Sequence, residues 1–135
     1  MVGASCLCGA VRIQFSDEVL AKVLCHCLDC RKISGSTYST NILVPGTNFS
    51  IASGTPKQFT KKVDSGKDFT SFFCGDCGST LWREGESFGD GKVIKVGTVD
   101  DVDALGKARP ETELFARSRV EWVREVEGAV QKETS

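Results

Sequence analysis

The sequence predicts a mainly β domain, and three observations carry that prediction. Short segments alternate apolar and polar residues with the period of two that marks a half-buried strand. Gly, Pro and Asp turn signals separate these segments. The 3.6-residue period of an amphipathic helix is weak throughout. The chain has 135 residues, of which 40% are hydrophobic and 26% charged. That is the size and composition of a single globular domain spanning residues 1–135.

The elements follow in order. Ala10 to Phe15 alternates cleanly and reads as a strand, and Val19 to Leu24 reads as a second that runs into Cys25. Leu28 to Ser34 has the content of one or two helical turns. Tyr38 to Val44 is a strand stopped by Pro45-Gly46. Phe49 to Ile51 and Gln58 to Thr60 are short strands flanking Gly54-Thr55-Pro56. Phe69 to Phe73 delivers Cys74, and Thr80 to Arg83 leaves Cys77 behind. Lys92 to Val96 follows the Gly-Asp-Gly turn at 89–91. Asp100 to Leu105 reads as a turn of helix around a solvated acidic cluster. Glu113 to Ala116 is a last short strand. Val120 to Gly128 reads as helical, with Trp122, Val123 and Val126 on one side. Trp82 and Trp122 are both expected in the core.

Charge and hydropathy exclude several roles. Net charge is −1 and the longest basic clusters are the pairs Arg31-Lys32 and Lys61-Lys62, too little for a surface that tracks phosphates, so no nucleic-acid partner is expected. No apolar run approaches the length of a membrane span, and the first residues lack the basic and apolar regions of a signal peptide. The expectation is a soluble, cytoplasmic protein. In that compartment thiols stay reduced, so clustered cysteines point to metal or catalysis rather than disulfides.

All seven cysteines fall into three clusters: Cys6 and Cys8; Cys25, Cys27 and Cys30; Cys74 and Cys77. Zn²⁺ takes four thiolate or imidazole ligands in a tetrahedron, closed in structural sites and with one open position in catalytic ones. Cys74-Gly75-Asp76-Cys77-Gly78 has the shape of a zinc knuckle, supplying two ligands. Cys6-Leu7-Cys8 supplies two more, with Gly9 relaxing the backbone beside it. The simplest division puts Cys6, Cys8, Cys74 and Cys77 on one metal and Cys25, Cys27 and Cys30 on another. An iron–sulfur cluster would use the same thiolates, and His26 as a fourth donor would close the second site. Against the latter, neighbours in an extended segment point to opposite sides, which turns His26 away from Cys25 and Cys27. A three-thiolate zinc site carries net negative charge and suits an incoming thiol, which the metal deprotonates outright.

These clusters resemble the glutathione-dependent formaldehyde-activating enzyme family, which shares its domain with centromere protein V. The resemblance rests on Gly3-x-x-Cys6-x-Cys8-Gly9-x-Val11, Cys25-His26-Cys27-x-x-Cys30-Arg31-Lys32-x-Ser34-Gly35-Ser36 and Phe73-Cys74-x-x-Cys77-Gly78-Ser79. It extends to Gly97-Thr98-Val99-Asp100-Asp101, Pro110 and Arg119-x-x-Trp122. It implies a β-tent of coiled antiparallel sheets. It also implies a structural zinc on Cys6, Cys8, Cys74 and Cys77 and a catalytic zinc on Cys25, Cys27 and Cys30. The implied activity is that of a carbon–sulfur lyase, joining glutathione or a similar thiol to formaldehyde or another small aldehyde as an S-hydroxymethyl adduct. One position departs: many relatives carry His where Glu113 precedes Leu114-Phe115. The other reading is a non-enzymatic zinc module that binds a protein partner, or a thiol or aldehyde carrier.

Two further features bear on a thiol substrate such as glutathione. Arg31 suits bidentate contact with a carboxylate. Ser34-Gly35-Ser36 offers backbone N–H groups to an anion, which makes Ser36 a candidate contact. The plain alternatives are a solvated basic pair at Arg31-Lys32 and a helix-ending turn capped by Gly35.

Overall fold

A computed structural model describes residues 1–135. Two sheets make up the molecule. The smaller has three strands in the order β1 (Val2–Ser5), β2 (Arg12–Phe15), β5 (Ser50–Ser53). The larger has eight, built from β3 (Ala21–Cys25), β4 (Ser39–Val44), β6 (Lys57–Lys62), β7 (Asp68–Phe73), β8 (Thr80–Gly85), β9 (Lys92–Lys95), β10 (Thr112–Leu114) and β11 (Val130–Gln131). Their order across the sheet is β11-β10-β3-β4-β9-β8-β7-β6. Helix is confined to α1 (Leu28–Ser34), α2 (Ala104–Lys107) and short 3₁₀ turns.

The alternating patterns sort the two faces of the large sheet. Ile42, Ile94, Trp82 and Phe72 are register partners across β4, β9, β8 and β7 and share a face. They meet Ala4, Val11, Ile13 and Phe15 from the first residues of the chain, and together these form the core. Trp82 is its centre, stacked on Phe72 at 4.4 Å and touching Phe49 at 4.9 Å. Its indole N–H donates to Glu84 at 2.8 Å, so the buried ring keeps a polar partner.

The opposite face is polar. Cys25 lies beside Ser39, and Asn41 lies beside Lys95. Val93, Arg83, Ser71 and Phe59 form the next row. Helix α1 leaves β3 and lies over this face, so the residues that follow Cys25 are carried across the sheet.

Three expectations are corrected. The large sheet is mixed, not wholly antiparallel, because β10 runs parallel to both β3 and β11. Residues 120–128 are turns and bends, not a helix. The Val126 N–H, which a helix would direct to the Trp122 carbonyl, donates instead to the Glu113 carboxylate at 2.7 Å. With no helix to turn it inward, Trp122 is 73% exposed rather than part of the core.

Candidate metal centres and the groove beside them

Cys6 and Cys8 follow β1, and Cys74 and Cys77 fill the turn between β7 and β8. The packing of the two sheets brings these four thiols together, all within 4.8 Å of one another. Cys6 and Cys8 are 3.6 Å apart, and Cys8 and Cys74 are 3.7 Å apart. A zinc tetrathiolate with bonds near 2.3 Å has S···S edges of about 3.8 Å, so the donor set fits that ion. The local chain supports the sulfurs as a knuckle does. The N–H of Asp76 reaches Cys74 Sγ at 3.4 Å, and that of Val11 reaches Cys6 Sγ at 3.3 Å. Gly78 closes the turn at φ 80°, where a side chain would be strained. The N–H of Leu7 donates to Ser79 Oγ at 3.0 Å and pins one knuckle to the other.

The second cluster is made by one short segment. Cys25 ends β3, Cys27 caps α1, and Cys30 sits one turn into it. Cys27 Sγ accepts the Cys30 N–H at 3.3 Å, the role a Ser or Asp would play at a helix start. The helix ends at Gly35 in the left-handed region, whose N–H returns to the Arg31 carbonyl at 2.9 Å. The three sulfurs lie within 4.8 Å of one another, and neither nitrogen of His26 joins them. The set therefore fits a metal with one position left for an outside ligand. All seven cysteines are free thiols.

Hydrogen bonds from Cys25 and Cys27 pull the Cys30 thiol below its usual range, and the Lys95 ammonium adds to the effect. Cys25 is pushed the other way, because it shares its proton with Cys27 and Cys30 and is also buried. Burial lowers Lys95, while the nearby cysteines pull it back up. Its Nζ donates to Asn41 Oδ1 at 2.7 Å.

His26 and Glu113 are both fully buried. The His26 Nε2–H donates to Glu113 Oε1 at 2.7 Å, which leaves Nδ1 without a partner. Glu113 also accepts from Arg119 at 3.2 Å, from the Val126 N–H at 2.7 Å and from Gln131 Nε2 at 2.7 Å. The pairing of β10 with β3 sets Glu113 opposite Leu24, within reach of the residue between two candidate ligands.

A groove of about 420 Å³ runs alongside α1. Leu28, Asp29, Lys32 and Ile33 line it from the helix, and Phe59, Lys61, Phe69, Ser71 and Arg83 from the sheet. Arg31 is half-buried and Ser36 exposed, and neither lines the groove. Sequence reasoning missed Arg83 and Lys95. Each sits in an alternating strand where a charged residue normally faces water; here Arg83 is buried at the groove and Lys95 is half-buried beside the cysteines.

A family model described as glutathione-dependent formaldehyde-activating enzyme matches residues 1–118. Among solved structures, a protein of Rhodobacter sphaeroides superposes with a TM-score of 0.62 at 18% identity, covering 80% of this chain and 96% of that one. At that identity the likeness is one of fold. No curated protein sequence matches the chain.

Proposed function

The chain belongs to the glutathione-dependent formaldehyde-activating enzyme family, and from that premise we propose that it joins a thiol to a small aldehyde at the cluster of Cys25, Cys27 and Cys30. The observation that carries this reading is the convergence of three thiols with no fourth protein donor, while His26 is engaged by Glu113. The proposed metal is zinc at both clusters: structural on Cys6, Cys8, Cys74 and Cys77, and catalytic on the other three. Zinc at a three-thiolate site supplies one thing, the ionisation of an added thiol at neutral pH.

The remaining work falls to the chain. Cys27 fixes its sulfur by capping α1, so the three donors keep their spacing when a fourth sulfur arrives. Lys95 offsets the excess negative charge of the thiolates from below. Arg31 on α1 and Ser36 just beyond its end are proposed contacts for polar groups of the thiol. The substrate sulfur adds to the carbonyl carbon, forming a C–S bond. The carbonyl π electrons pass to oxygen, which takes a proton from water, and the proton the thiol loses on ionisation returns to water. Net, thiol and formaldehyde give the S-hydroxymethyl thioether, a carbon–sulfur lyase reaction run in the direction of synthesis. The three-stranded sheet leaning on the eight-stranded one supports the β-tent description, and seven free thiols suit the reducing cytoplasm.

The test is zinc-edge X-ray absorption with and without glutathione. Added glutathione is expected to raise the mean sulfur count, and Cys27→Ser to abolish thiol-dependent turnover while the fold survives. An unchanged sulfur count together with histidine nitrogen in the shell would instead mean a closed site and a binding module.

A further inference from the structure

Two cations lie on the sheet face beneath α1 with no carboxylate partner. Arg83 is only 5% exposed, and Lys95 is half-buried beside the cysteines. None of the ion pairs in the molecule includes either. A buried charge without compensation is strongly unfavourable, so each needs a counter-charge. Lys95 would have one: three thiolates around a divalent ion would carry a net charge of −1 beside it. That leaves Arg83. Its Nε–H donates to Ser71 Oγ at 3.0 Å, and its guanidinium lies 3.9 Å from the centre of the Phe69 ring. These contacts fix the plane of the fork without neutralising it. The one carboxylate lining the groove, Asp29, is held by Lys61 at 2.6 Å. Lys32, also on the groove wall, adds a further positive charge that no ion pair takes up.

We infer that the groove between α1 and β6–β8 is a carboxylate subsite in which Arg83 receives an acidic group of the thiol substrate. This rests on the reading that the thiol itself binds at Cys25, Cys27 and Cys30. The spacing agrees. Ser39 on β4 meets Cys30, and Arg83 stands on β8, two strands further across the sheet. Two strand spacings are about 10 Å, and Arg83 is in register with Leu43, about 13 Å along β4 from Ser39; the backbone separation of about 16 Å is covered by the Arg83 side chain and an extended peptide-like thiol together, at about 3.3–3.6 Å per residue. A groove of about 420 Å³ is far larger than a one-carbon aldehyde needs. Arg83 is therefore the residue by which the groove selects a carboxylate-bearing thiol, and a neutral thiol is a poor substitute.

The experiment is calorimetric titration of the zinc-loaded full chain with three probes: glutathione, its diethyl ester, and S-methylglutathione, which keeps the carboxylates but has no free thiol. Glutathione is expected to bind roughly 10- to 100-fold more tightly than the ester, the range of a charge-assisted contact. In Arg83→Met, which keeps the packing on Phe69, that preference is expected to collapse to within about twofold. Arg83→Lys should restore part of it. Equal binding of glutathione and the ester by the wild-type protein would overturn the subsite and leave the thiol reading intact; this comparison needs no variant. Equal binding of glutathione and S-methylglutathione, both lost in Arg83→Met, would uphold the subsite and overturn the thiol reading. Failure of all three probes to bind would overturn both.

Discussion

Glu113 shows how much one side chain can hold. Burial alone would raise its carboxyl, but donors from Gln131, His26, the Val126 N–H and Arg119 keep it down at about 2, against an ordinary value near 4.5. A carboxylate depressed in this way stabilises the fold fully above its unfolded value, and that contribution fades as pH falls from about 4.5 toward 2. The shift corresponds to roughly 3 kcal/mol. Glu113→Gln should therefore be less stable than wild type at pH 7 by an amount that shrinks below pH 4.5. The difference between the two urea midpoints cancels the acid sensitivity that the thiolates give both proteins. Glu113→Ala strands His26 and Arg119 and should cost about 3–5 kcal/mol. None of this was legible from Glu113 in sequence, where it stood only as a departure from the family's His. Its partners Arg119, Val126 and Gln131 come from the end of the chain, and the parallel pairing of β10 with its neighbours brings them in. The cysteines were legible because C-x-C and C-x-x-C place their ligands locally.

At the level of elements, period-two alternation located most of the strands, most clearly β2, which sets one face on the core and one in solvent, whereas β5 and β6 are exposed along their whole length. It missed β1, which has little β-branched bulk beyond Val2 and is held as a strand by its ladder to β2. The span of residues 120–128 shows the reverse error. Trp122 and Val126 have helical spacing, yet the backbone spends its N–H on Glu113. Glycines at element ends allow a graded test. A Cβ on Gly35 would meet nothing within 4 Å, so Gly35→Ala costs only the left-handed backbone, about 1–2 kcal/mol. A Cβ on Gly54 would lie 2.2 Å from the Ala10 carbonyl oxygen and would carry the same backbone strain. Gly54→Ala should lose clearly more stability than Gly35→Ala in parallel urea titrations. Equal losses would mean that β5 is free to move away from the loop before β2.

For the molecule as a whole, the four-thiol cluster sets the end of β1 against the turn between β7 and β8, so the proposed metal would tie the small sheet to the large one. A structural zinc supplies on the order of 10–16 kcal/mol in small zinc peptides, against a net stability of roughly 5–15 kcal/mol for a typical domain. Cys74→Ser should therefore unfold or precipitate the protein, whereas Cys27→Ser should leave its far-ultraviolet circular dichroism and melting temperature nearly unchanged. Retention of the wild-type melting temperature by Cys74→Ser would remove the four-thiol cluster from any structural role. The same closure imposes an order of events during synthesis. Cys8 and Cys74 are 66 residues apart, and a ribosome adding about 5–20 residues per second needs roughly 3–13 s to bridge that gap. Through that interval Cys6 and Cys8 stand outside the exit tunnel as a bare dithiol with half a coordination sphere. With the proposed zinc there, the newborn chain would be at its most vulnerable to oxidants and to competing metals before its second knuckle exists.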